Sequence, residues 1–131
     1  MVQPSDLKTM KITEVTTESL RKEFIDFPKK LYRGDPNWVC PLDSETEAVF
    51  SHERNVAFRH GEAVRWILSD GDGNTIGRVA AFIDEIRSKA NRQPTGGLGF
   101  FEVIESRDAA FLLFDTARQW LTERGKEIGR A

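Results

Sequence analysis

Two strand-like apolar runs held apart by five consecutive turn formers constrain this chain more than any other feature. Ala63-Val64-Arg65-Trp66-Ile67-Leu68 and Thr75-Ile76-Gly77-Arg78-Val79-Ala80-Ala81-Phe82-Ile83 flank Asp70-Gly71-Asp72-Gly73-Asn74. Branched and aromatic side chains suit a pleated surface, and Asp-Gly steps tolerate the positive φ angles that tight hairpin turns require. The pattern predicts an antiparallel hairpin. Asp70, Asp72 and Asn74 loosely resemble a calcium loop as well, but the spaced Glu of such a loop is missing, and a hairpin turn accounts for them.

Before the hairpin, Ile12 and Val15 among polar neighbours predict a short strand over Lys11 to Val15. Leu20, Phe24, Phe27 and Leu31 then recur at helical spacing behind a cap from Thr16 or Thr17. Pro28 has no N–H to donate, so this helix should kink there or restart with Pro28 in its first turn. Gly34-Asp35-Pro36-Asn37 predicts a turn, and Trp38-Val39-Cys40-Pro41-Leu42 a loop packed on the core. Ser44 with Glu47 three residues on has the form of a capping box and predicts a second helix from Ser44 to about His52.

Beyond the hairpin, Asp84 to Pro94 is polar and reads as a loop with some helix. Gly96 to Ile104 reads as a buried strand whose glycines, Gly96, Gly97 and Gly99, suggest a bulge or a close backbone approach. Ala109, Leu112, Leu113, Thr116, Ala117, Trp120 and Leu121 mark one face of a long helix, with Ser106 as N-cap and Gly125 as stop signal. Lys126 to Ala131 is enough for the start of one more strand. The order β-α-α-β-β-β-α gives an α/β (α+β) fold in one domain over residues 1–131, with no repeat and no linker.

Composition excludes several classes of function. A chain of 131 residues is ordinary for one domain, and folding at that size buries roughly two-thirds of the unfolded surface. A net charge of -2, with Lys and Arg scattered among Asp and Glu, leaves no basic face for nucleic acid. The single cysteine, Cys40, forbids an internal disulfide and fits a reducing compartment. Met1 to Met10 lacks the apolar stretch of a signal peptide, and the apolar run Ala109 to Phe114 is too short to cross a bilayer. These features predict a cytoplasmic protein with no membrane partner.

Particular segments then resemble a known family. Phe27-Pro28-Lys29-Lys30-Leu31-Tyr32, Asp35-Pro36-Asn37-Trp38-Val39-Cys40-Pro41-Leu42, Gly77-Arg78-Val79-Ala80-Ala81-Phe82-Ile83-Asp84, Gly99-Phe100-Phe101-Glu102 and Trp120-Leu121-Thr122-Glu123-Arg124-Gly125 are similar, in this order, to a bacterial branch of longer GNAT acetyltransferase-like proteins. The resemblance implies a mixed, mainly antiparallel sheet flanked by helices. It implies acetyl-CoA or another acyl-CoA as cofactor, a small amine as acceptor, and Glu102 as the base that deprotonates the amine. It also implies that Phe101, Val103, Ile104 and Arg107 receive the acyl-CoA.

Two departures accompany the resemblance. The family's glycine-bearing pyrophosphate loop is replaced by Glu105-Ser106-Arg107-Asp108-Ala109-Ala110, so weak acyl-CoA binding is expected there. The sequence also stops at Ala131, before the family's C-terminal arm, which leaves half a cleft. The alternative function is a catalytically inactive GNAT-like half-domain acting in self-association or partner binding. A homodimer formed through Leu98 to Ile104 and the Lys126 to Ala131 tail is the form expected.

The plainer readings of these residues are structural. Glu102 also reads as a polar residue at a sheet surface paired with an arginine such as Arg78. Its neighbours Phe100 and Ile104 share its face by strand alternation. Cys40 reads as a small buried hydrophobe, and His52 and His60 give no recognisable metal site, so no metal is expected.

Overall fold

The computed structural model describes residues 10–38, 42–51, 61–84 and 95–128, apart from the side chains at 44, 45, 84, 95, 127 and 128. In chain order the elements are β1 (Lys11–Glu14), α1 (Glu18–Leu31), α2 (Asp43–Val49), β2 (Gly61–Ser69), β3 (Thr75–Asp84), β4 (Thr95–Val103), α3 (Arg107–Glu123) and β5 (Glu127–Ile128). They form one sheet in the order β1-β2-β3-β4-β5, antiparallel from β1 to β4, with β5 parallel to β4. The tail after α3 therefore starts a strand, as its sequence predicts.

The hairpin forms where the turn residues place it. The Asp70 carboxylate accepts from the N–H groups of Asp72 at 3.0 Å and Asn74 at 2.9 Å, and the Asp70 N–H donates to the Asn74 carbonyl at 2.9 Å. Gly73, at φ +85°, takes the left-handed position that glycine occupies at least cost. Asp70 and Asn74 are thus engaged in closing a turn.

Thr17 caps α1 by accepting from the Leu20 N–H at 3.2 Å. The helix runs through Pro28 to Leu31 without restarting, and the Phe24 carbonyl that Pro28 leaves open accepts from Arg78. The predicted capping box of α2 does not form. The helix begins at Asp43 behind Leu42, with no side-chain cap, and ends at Val49 rather than near His52. Asp43 pairs with Lys29 of α1 at 2.8 Å, and Glu47 lies 3.8 Å from Arg65, so both acids are drawn to cations on other elements. In the segment before α2, Trp38 stacks on Tyr32 at 5.3 Å while Leu42 is exposed rather than packed. Val39, Cys40 and Pro41 lie outside the described residues, as do His52, His60 and 85–94.

Both faces of the sheet are covered. On one face α3 presents Ala109, Leu113, Ala117 and Leu121, all fully buried, to Leu68, Val79, Ala81 and Ile83. Trp120 flanks this core edge-on to Trp66 at 6.2 Å. The approach is close: a Cβ on Gly96 would collide with Leu121, so β4 needs glycine there. Ser106 caps α3 and Gly125 follows its last turn, as predicted. On the other face α1 and α2 cover Ile67, Ala80, Phe82 and Phe100 with Phe24 and Phe50.

Candidate functional site

The face under α1 and α2 carries charge where a sheet usually buries hydrocarbon. Strand alternation sends Arg65 and Ile67 of β2, with Arg78 and Ala80 of β3, toward the two helices. Arg78 is 4% exposed and Arg65 8%. A guanidinium at that depth needs partners for both its charge and its N–H groups.

Pro28 supplies the first partner for Arg78. In a regular helix the N–H of residue 28 would donate to the carbonyl of Phe24; proline has none, and that carbonyl is left open. Arg78 Nη1 donates to it at 2.7 Å. Arg78 Nη2 donates to Oε1 of Glu102, its direct cross-strand neighbour, at 2.6 Å. The guanidinium also lies 4.7 Å from the ring centre of Phe24 and 5.3 Å from that of Phe100. Burial lowers the Arg78 pKa by disfavouring its charge, and Glu102 opposes that shift.

A third group closes on the same carboxylate. Tyr32, at the C-terminal end of α1, directs its phenol to Glu102. That hydrogen bond, helped by burial, holds the phenol above its ordinary pKa, so Tyr32 stays protonated. Arg65 is less well satisfied. It has Glu47 at 3.8 Å and the Phe50 ring centre at 4.2 Å. Its Nη1, like Nε of Arg78, is buried without a hydrogen-bond partner among the described residues.

A β-bulge decides where Glu102 points. Phe100 and Phe101 together oppose Val79, so the register slips by one between the Arg78–Glu102 and Ala80–Gly99 pairs. Leu98 packs toward α3; without the extra residue Glu102, four positions on, would face α3 too. The bulge turns it to Arg78. Phe100 sits at φ +53°, which costs on the order of 1 kcal/mol for a residue with a Cβ. In return its ring packs against Phe24, Phe50 and Phe82, with centres 5.9, 5.5 and 6.3 Å away.

The other predicted site residues fall in different places. Phe101 is partly exposed at the bulge, so β4 is not wholly buried. Val103 and Ile104 pack toward α3, on the opposite face from Glu102, because β4 ends at Val103 and alternation stops there. The Ile104 N–H is spent on the Ile76 carbonyl at 3.0 Å. Arg107 is exposed in the first turn of α3 beside exposed Glu105 and Asp108, and Ser106 accepts from the Ala109 N–H at 3.2 Å. β5 pairs only with Thr95 and Gly96, so from Gly97 onward the outer edge of β4 has no strand beside it among the described residues. Among those residues no three His, Cys, Asp or Glu side chains converge as metal ligands, and no helix is long and apolar enough to cross a membrane.

Sequence reasoning named Glu102 and, as its alternative partner, Arg78. It missed Tyr32 and Arg65. The signal available was Pro28 inside a helical pattern, which announces an open carbonyl without saying what fills it.

Solved structures identify this arrangement of elements. A tandem GNAT protein from the clavulanic acid biosynthesis pathway matches 89% of the chain, over 34% of its own, at a TM-score of 0.67 and 13% identity. The chain has a GNAT acetyltransferase fold. A GNAT-family acetyltransferase from Staphylococcus aureus Mu50 agrees over 88% of the chain and 68% of its own, at a TM-score of 0.60 and 15% identity.

Among curated sequences, a bacterial ceramide synthase from Caulobacter vibrioides is 35% identical over 122 residues, covering 89% of the chain and 30% of that protein. Protein YghO of Escherichia coli K12 is 33% identical over 104 residues, covering 79% of the chain and 26% of its own length. The chain thus spans less than a third of these relatives. No family model matches the sequence. Within the GNAT fold, Glu102 lies on β4 next to the strand's open outer edge, and Arg78 and Tyr32 hold it from the other side.

Proposed function

We propose that this chain, as one domain over 1–131, is the part of an acyl-CoA-dependent N-acyltransferase that carries the base. The observation that supports this reading is the bulge, which turns Glu102 to the buried face while β4 keeps an open edge from Gly97 onward. In the proposed step the amine nitrogen attacks the thioester carbonyl, the C–S bond breaks as the amide forms, Glu102 takes the amine proton and the thiolate leaves. The open backbone around Phe101 would take the amide groups of the acyl-CoA arm. The junction to α3 fits the pyrophosphate less well: Ser106 occupies a first-turn N–H, Glu105 and Asp108 are acidic, and Arg107 is the nearby cation in sequence.

The ceramide synthase relative suggests the acceptor. A ceramide is an amide of a fatty acid with a long-chain amino alcohol, so the acceptor class proposed here is a long-chain amine. Calorimetric titration with acetyl-CoA, followed by turnover assays on long-chain and short-chain amines, tests the reading. Weak, saturable binding with turnover on the long-chain amine supports it. Turnover unaffected by Glu102→Gln removes Glu102 as base.

A second reading has its own observation. The same open edge, with Phe101 partly exposed on it, offers unpaired backbone groups to another chain, and we propose a homodimer through β4 as the alternative. Light scattering at tens of micromolar decides it, since a clean monomer eliminates the dimer.

A further inference from the structure

Helix α1 and strand β4 are joined by a continuous line of hydrogen bonds that begins with a group the sequence lacks. Pro28 leaves the Phe24 carbonyl open, and Arg78 bridges it to Glu102 with contacts of 2.7 and 2.6 Å. The bridge is short at both ends, buried at Arg78 and partly buried at Glu102: the Arg78 side chain is 5% exposed and that of Glu102 18%. A hydrogen bond to a charged donor is worth more than a neutral one, and a guanidinium fixed at two nitrogens has little freedom to turn. We propose that Arg78 is the positioning residue of the Glu102 carboxylate, and that Pro28 is required because it frees the carbonyl on which Arg78 is anchored. The proposal rests on the reading of Glu102 as the base and adds two residues, Pro28 on α1 and Arg78 on β3, that act through the Glu102 carboxylate.

The alternative is that Arg78 acts on the site only as a nearby positive charge. The two cases differ in sign at a reporter already built into the molecule. Tyr32 is the single tyrosine of the chain, so phenolate absorbance reads it without ambiguity. Its pKa is raised chiefly by its hydrogen bond to Glu102, then by burial and by the charges of Glu102 and Asp35, while the charge of Arg78 lowers it. If Arg78 were only a charge, Arg78→Met would raise the Tyr32 midpoint further. If Arg78 holds Glu102 in place, its loss frees the carboxylate from the phenol and the midpoint falls.

The experiment is alkaline phenolate titration of the wild type, Glu102→Gln, Arg78→Met and Pro28→Ala, each kept below the onset of unfolding seen in tryptophan emission. Glu102→Gln should lower the midpoint and set the scale. Arg78→Met should move it in the same direction. Pro28→Ala keeps every charge and favours the helix, yet gives residue 28 an N–H that competes for the Phe24 carbonyl. It should move the midpoint the same way by a smaller amount. An unchanged or raised midpoint in Arg78→Met overturns the positioning role, and an unchanged one in Pro28→Ala overturns the part given to proline. Should Arg78→Met not fold, Pro28→Ala decides alone.

Turnover separates this from the base reading. Glu102→Gln should lose roughly 100-fold or more in kcat if Glu102 is the base. Arg78→Met and Pro28→Ala should lower kcat with KM little changed. Full turnover in Glu102→Gln removes the base and leaves the positioning of the carboxylate to be decided by the titrations.

Discussion

The two faces of this sheet solve the burial problem in opposite ways. Toward α3 the core is mainly aliphatic and interlocked, with Leu68, Val79, Leu113 and Leu121 fully buried, Trp66 and Trp120 at its side, and Gly96 in β4 making room for the helix. Toward α1 and α2 the core is aromatic and charged, with Arg78 and Arg65 beneath Phe24 and Phe50. Aliphatic contacts are many and individually small, so a loss there scales with the volume removed. A buried polar chain differs, because each group is satisfied only while the next one holds. One face is therefore graded in its response to mutation, and the other switches.

The largest expected effect comes from breaking the charged face on one side. Arg78→Met leaves Glu102 without its buried partner and should cost about 3–5 kcal/mol in denaturant unfolding. Arg78→Met with Glu102→Leu removes both charges and should recover most of that loss. If the double variant stays as unstable as the single one, the stabilisation lies in packing by the arginine stem and the contrast between the faces collapses.

Next comes the aliphatic face. Leu113→Ala should cost about 3 kcal/mol and Leu113→Met well under half as much, a graded series measured by the same unfolding curves. Neither change should move the Tyr32 phenolate midpoint. A shift there would show that the two faces communicate through β3.

The contrast also explains what could be read from the sequence. The aliphatic face obeys local rules: the helical spacing of Ala109, Leu113, Ala117 and Leu121, the cap at Ser106 and the stop at Gly125 all appear in the chain as they appear in the fold. The charged face is assembled from distant positions. Arg78 and the Phe24 carbonyl are 54 residues apart, and no local pattern pairs them. The Ser44 and Glu47 motif misleads for the same reason, since Glu47 lies toward Arg65. The glycines of β4 announce a bulge, yet the residue that adopts positive φ is Phe100, because three other rings gather around it. The Glu102–Arg78 pair was legible as a possibility; that Tyr32 joins it was not.

A smaller effect tests whether the start of α3 belongs to the aliphatic face alone. Ser106→Ala removes the acceptor for the Ala109 N–H and should cost about 1 kcal/mol, as an ordinary cap does. The vacated N–H then becomes available to an anion. Acetyl-CoA titration should tighten slightly in this variant if the capped first turn is what weakens the pyrophosphate contact. Unchanged affinity would place the weakness with Glu105 and Asp108 instead.

The smallest effect lies at the hairpin tip, which joins β2 to β3 and so serves both faces equally. The Asp70 pKa is lowered chiefly by the Asn74 N–H; desolvation opposes this, and further bonds from the Asp72 N–H, the Asn74 side chain and the Gly73 N–H add to the lowering. A carboxyl with a depressed pKa in the folded state stabilises the fold when ionised. The contribution is complete above the ordinary carboxylate pKa and is lost as pH falls through the depressed folded value. Asp70→Asn keeps an acceptor oxygen for the Asp72 and Asn74 N–H groups and loses the charge, together with the long 3.5 Å bond from the Asn74 side chain. Its melting midpoint should lie slightly below that of the wild type at neutral pH, and the gap should close as pH drops below the ordinary carboxylate range. A gap that persists unchanged in acid would mean that the asparagine disturbs the turn geometry, and that the charge on Asp70 contributes nothing to the hairpin.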